Sequence, residues 1–153
     1  MLFRSSVTLY ETTGWRGVLE QDSGSPLPGR FPSQPGQLFP LFHILGAVGA
    51  FVGGDVIVTH SSDACRVESI ALARGDSACL WLANLTATRQ TAVVTGFSRV
   101  THRLDLDWLA DDRWMGEPDA IVGCRGVEMP SAARNEIVVE LAAFGLVKLE
   151  MEP

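Results

Sequence analysis

The sequence predicts a mainly β fold: an antiparallel β-sandwich preceded by an orphan βα unit. Two patterns and one composition figure support this. From residue 55 onward, short runs of alternating apolar and polar residues are separated by turns. Ahead of them stand one strand-like run, one long loop and one stretch with helical period. The 153 residues are 46% hydrophobic and 20% charged, which suits a packed domain of ordinary size and not a disordered chain.

Residues 6–11 (Ser6-Val7-Thr8-Leu9-Tyr10-Glu11) are rich in β-branched and aromatic types and read as a strand. Residues 14–37 are crowded with Gly, Pro and Ser, and a loop of that length is usually functional or tied to a neighbour. Leu38, Leu41, Phe42, Leu45, Val48 and Phe51 then recur at helical spacing, with Pro40 in the first turn and Gly53-Gly54 as the stop. Strands are predicted at 56–60, 67–73, 78–85, 91–95 and 99–106, with a hairpin turn at Arg74-Gly75-Asp76. Within 99–106, strict alternation puts Val100, His102, Leu104 and Leu106 on one face. Ile137, Val139 and Leu141 form a further apolar face, and 147–151 completes the set beyond Gly145. Trp81 is assigned to the sandwich core. A βα unit normally sits among other βα units in a parallel sheet, and none accompanies this one. The sequence thus reads as starting near the end of a larger α/β domain, with 1–54 as the remnant of that domain and 55–153 as the sandwich.

Twelve Lys+Arg against 18 Asp+Glu give a net charge of −6, which repels phosphate backbones and argues against nucleic acid as a partner. The longest apolar stretch, 38–52, is interrupted by Pro40 and His43 and is shorter than a bilayer-spanning helix, so no membrane partner is predicted. The N-terminus lacks the apolar core of a signal peptide. Cys65, Cys79 and Cys124 are odd in number and form no CxxC, which predicts buried, reduced thiols in a cytoplasmic protein. There is no Walker A, no G-x-G-x-x-G and no G-x-S-x-G, so neither a cofactor nor a nucleophile elbow is predicted. His43, His60 and His102 lack metal-ligand spacing, and His43 and His102 read as partly buried, satisfied histidines. The acidic run Asp105, Asp107, Asp111, Asp112, Glu117 and Asp119 lacks the EF-hand pattern and reads as a solvated loop. Asn84-Leu85-Thr86 fits a glycosylation pattern, but Asn84 is assigned to bonding its own turn.

Four stretches carry a resemblance to a known family. They are Tyr10-Glu11-Thr12-Thr13-Gly14-Trp15-Arg16-Gly17, Phe39-Pro40-Leu41-Phe42-His43, Ser61-Ser62-Asp63 and Ala83-Asn84-Leu85-Thr86. In that order they resemble the C-terminal portion of the D-apionate lactonase family, whose architecture is that of glycoside hydrolases: a (β/α)8 barrel followed by a β-sandwich. The first stretch is the most specific; the last two are individually weak. The resemblance implies that 6–11 is the eighth barrel strand, 38–51 the eighth helix and 55–153 the sandwich. It also implies that seven barrel strands, with the acid/base carboxylates, lie outside these residues.

On that resemblance Glu11, Trp15 and Arg16 are the candidate substrate-binding residues. At the end of a barrel strand a carboxylate can bond sugar hydroxyls, an indole can stack on a sugar face, and a guanidinium can polarise a carbonyl or hold a carboxylate product. Without a barrel the same residues read as a local Glu11–Arg16 pair and an indole covering the sheet end. The implied partner is a sugar lactone or carbohydrate, bound through the complete barrel. No catalytic residue and no metal ligand is assigned within the chain. The competing functions are a free-standing, non-catalytic sandwich that binds carbohydrate or protein, and a homodimer joined through the N-terminal βα unit.

Overall fold

A computed structural model describes residues 11–14, 17–97, 99–106, 127–128 and 136–152. Among the described residues, one helix, α1 (Pro40–Gly49), precedes eight strands: β1 (Asp55–Ile57), β2 (Val67–Arg74), β3 (Ser77–Asn84), β4 (Gln90–Thr95), β5 (Arg99–Leu106), β6 (Val127–Glu128), β7 (Glu136–Leu141) and β8 (Leu146–Glu152). They form a six-stranded sheet of order β1-β2-β3-β8-β5-β6 and a two-stranded sheet β4-β7, with every pairing antiparallel. The predicted sandwich is present. The predicted strand at 6–11 lies outside the described residues except for Glu11, which is not in a strand.

Local chemistry sets the hairpin and its register. Arg74 pairs with Ser77 across Gly75 and Asp76. Gly75 takes φ 56° at the first central position, where a II′ turn requires positive φ. Upstream, the chain passes so close to β2 that a Cβ at Gly54 would lie 2.1 Å from the Ala73 carbonyl oxygen.

The inner core lies between the sheets. Ala71, Leu80, Leu82, Val100, Val147 and Leu149 of the large sheet meet Val139 and Leu141 of the small one. Ala92, Val94 and Ile137 pack around them, so the 137/139/141 face is the buried face the alternation predicts. One side of the sandwich is tied shut: Arg103 Nη2 donates to the Glu140 carbonyl oxygen at 3.1 Å and also binds Asp105 at 2.7 Å. The other side opens into a cleft of about 1010 Å³ between β4 and the β2–β3 half of the large sheet.

A second apolar cluster occupies the outer face of the large sheet. Leu72, Cys79, Trp81 and Leu106 are buried there under Ala47 of α1, with Ile44, Val48 and Phe51 beside it. The helix therefore covers the sandwich, and Arg74 fastens its end by donating to the Ala50 carbonyl oxygen at 3.0 Å. Trp81 thus lies outside the inter-sheet core to which the sequence assigns it. Its neighbours Leu80 and Leu82 take the inner face, and α1 gives the opposite face an apolar cover. The single face predicted for 99–106 is also corrected. A bulge between Val100 and His102 inserts Thr101, so Val100 points into the inner core while Leu104 and Leu106 join the outer cluster.

Candidate functional site

The described residues around the predicted site form a small ribbon of three segments joined by two isolated bridges. Thr13 bridges Leu19 in parallel, and Leu19 bridges Leu38 antiparallel. The Gly14 amide donates to the Leu19 carbonyl at 2.8 Å, Glu20 N to Gln37 O at 2.8 Å, and Phe39 N to Val18 O at 3.0 Å. The segment leading into α1 is thereby tied to the turn that begins at Glu11. Gly17 N donates to Gly14 O at 2.7 Å to close that turn. A Cβ on Gly17 would stand 2.7 Å from the Glu11 carbonyl oxygen, so a glycine is required there. Glu11 is exposed at the edge of the turn. Trp15 and Arg16 lie outside the described residues.

One carboxylate escaped the sequence reading. Glu20 is 1% exposed. Its Oε1 accepts the Gln21 amide at 2.9 Å and its Oε2 accepts the Ser33 hydroxyl. Nothing in a Gly/Pro/Ser-rich loop marks one glutamate as buried.

The histidines do not converge. His43 is buried in α1 with its ring edge-on to Phe42 at 5.5 Å. His102 lies on the outer face of β5, 3.6 Å from the Glu150 carboxylate, which Lys148 also engages at 2.7 Å. His60 is exposed at the rim of the open cleft. Among the described residues, no group of three or more His, Cys, Asp or Glu is placed to hold a metal ion. Asp63 at the cleft rim pairs with Arg66 at 3.2 Å, and the cleft floor is apolar, with Leu80, Leu82 and Val94. This cleft therefore offers mainly packing surface at its floor, with polar residues at its rim. A smaller one, about 270 Å³, is lined by Arg89 and Arg103, which are paired with Glu140 and Asp105.

Of the thiols, Cys65 is exposed and Cys79 buried, which corrects the expectation of uniformly buried cysteines. Burial pushes the Cys79 thiol above the ordinary range, against the opposing pull of the Lys148 ammonium. Cys124 lies outside the described residues. Among the described residues, no helix is long and apolar enough to cross a membrane.

Comparison with known proteins agrees with this geometry. No curated protein matches the sequence. Among solved structures, a GH30 endoxylanase from Clostridium papyrosolvens C71 superposes with a TM-score of 0.56 at 12% identity. The match covers 76% of this chain and 28% of that one, so the present chain spans under a third of its neighbour and the likeness is one of fold. The family model described as D-apionate lactonase, C-terminal immunoglobulin-like domain, matches residues 64–149, from the turn before β2 through most of β8. The chain therefore belongs to the D-apionate lactonase family, through its C-terminal immunoglobulin-like domain.

Proposed function

We propose that this chain is the C-terminal portion of a sugar-lactone hydrolase, in which the sandwich supports a barrel that opens D-apionolactone to D-apionate. Residues 1–54 supply the last barrel strand and helix, and 55–153 form the supporting domain. The observation that carries this reading is the outer cluster: Ala47 of α1 is buried against Leu72, Trp81 and Leu106. Through that seam a helix belonging to a barrel is anchored to the sandwich by apolar contact, and the turn at Glu11 is held to the same helix by the ribbon. Glu11, Trp15 and Arg16 form one wall of the substrate pocket, and the base and its electrophilic partner come from other strands. A cytoplasmic setting suits the free thiols.

The genomic sequence upstream of Met1 tests this first. An in-frame barrel supports the proposal, and a promoter with its own start codon contradicts it. In the longer protein, Glu11→Gln and Trp15→Ala lower kcat/KM for the lactone by about tenfold or more and leave the sandwich folded. Unchanged kinetics in both variants remove these residues from the site. A second reading, a free-standing sandwich that binds carbohydrate or protein without catalysis, draws support from the open apolar cleft beside β4.

A further inference from the structure

We propose that Glu20 is a positioning residue that sets the 11–17 turn through the ribbon, a role that rests on reading this turn as part of a sugar-lactone site. A carboxylate withdrawn from water is costly unless hydrogen bonds replace its hydration, so a 1% exposed glutamate needs a reason. The reason lies in what it joins. Ser33 is 13 residues away in sequence, and its hydroxyl donates to Glu20 Oε2. The Gln21 amide donates to Oε1. This closes the loop from 21 to 33 onto the last residue of the central ribbon segment. Beside it, the loop base is held by Glu20 N donating to Gln37 O at 2.8 Å and by two bonds to the Gln21 carbonyl, from Gly24 N at 2.9 Å and Gly36 N at 3.3 Å.

The effect passes to the turn by contact. Leu19 accepts the Gly14 amide, and Val18 N donates to Thr12 O at 3.3 Å, so the segment holding Glu20 also holds both sides of the turn's start. Gly17 is pressed against the Glu11 and Thr12 carbonyls, with no room for a Cβ. The turn therefore cannot settle independently of the ribbon. Glu20 itself is shielded and both its oxygens are engaged, so its role is to place other residues and not to touch substrate.

The test uses the 153-residue chain, with amide exchange followed by NMR in Glu20→Ala and Ser33→Ala. In both variants the Gly14 and Phe39 amides exchange about tenfold faster, while Leu80 and Val147 in the sandwich keep their rates. Unchanged Gly14 and Phe39 rates in Ser33→Ala overturn the proposal, and that variant decides if Glu20→Ala does not fold. In the longer protein that carries the barrel, Ser33→Ala then raises KM for D-apionolactone about tenfold or more, with the sandwich melting unchanged. An unchanged KM in Ser33→Ala overturns the positioning role. No lactone turnover by the wild-type longer protein removes the lactone reading and with it the functional half of the proposal, while the exchange rates still decide the Glu20–Ser33 link.

Discussion

Asn84 is buried to 3% exposure, and its hydrogen bonds explain how a polar side chain is accommodated there. Its Nδ2 donates to the Thr88 carbonyl at 2.7 Å and the Ala142 carbonyl at 2.6 Å, while its Oδ1 accepts the Thr86 amide at 2.9 Å and the Thr86 hydroxyl at 2.8 Å. One side chain thus holds its own turn, as the sequence suggests, and also the distant β7–β8 turn, which the sequence does not. That second turn carries Phe144 at φ 53°, an unfavourable conformation for a non-glycine residue, steadied by its amide bond to Thr86 O at 3.0 Å. Asn84→Ala removes these bonds and takes the acceptor from the Thr86 amide, and should cost about 1–3 kcal/mol, read from urea unfolding. Cys79 gives a second prediction at this scale. A neutral thiol favoured by burial adds stability that is fully present below the ordinary thiol pKa and is lost as pH rises through the raised folded value. At about pH 8, iodoacetamide should modify exposed Cys65 while Cys79 stays protected until the protein unfolds. Equal rates at the two sites would contradict the burial argument.

The elements show what a single sequence reveals and what it hides. Strands β4 and β7 were legible because one face of each is more buried than the other, which writes period two into the chain. β3 is the exception in pattern: five consecutive residues, from Ala78 to Leu82, are buried, because both of its faces are covered. Alternation cannot then say which face Trp81 takes. The two-residue β6 is too short to leave a pattern, and the bulge at Thr101 reverses a face without any Gly or Pro to announce it. In α1 the apolar stripe is broader than the contact. Ala47 and His43 are buried, whereas Leu45 is 48% exposed. Trp81→Ala should therefore cost about 3–5 kcal/mol by emptying the outer cluster, whereas Leu45→Glu should change stability by about 0.5 kcal/mol or less. Urea midpoints of the two variants make the comparison. A costly Leu45→Glu with a harmless Trp81→Ala would mean that α1 does not sit on the sheet in this way.

At the scale of the whole molecule, the two apolar clusters divide the labour: one binds the two sheets together, and the other binds the helix to the larger sheet. The candidate site lies on the helix side, in a ribbon whose existence the loop composition concealed, since hydrogen bonds between 12–14, 18–20 and 37–39 have no side-chain signature. Opening a lactone requires a water activated by a base and a polarised carbonyl. Glu11 is exposed, Glu20 has both oxygens engaged, and Asp63 is committed to Arg66, so the described residues bring together no such pair. On the proposed function, the sandwich is a support and the chemistry lies on strands outside these residues. The most direct test is D-apionolactone hydrolysis by the purified 153-residue chain: the account predicts the rate of buffer alone, and turnover well above buffer, abolished by a substitution within residues 1–153, would contradict it.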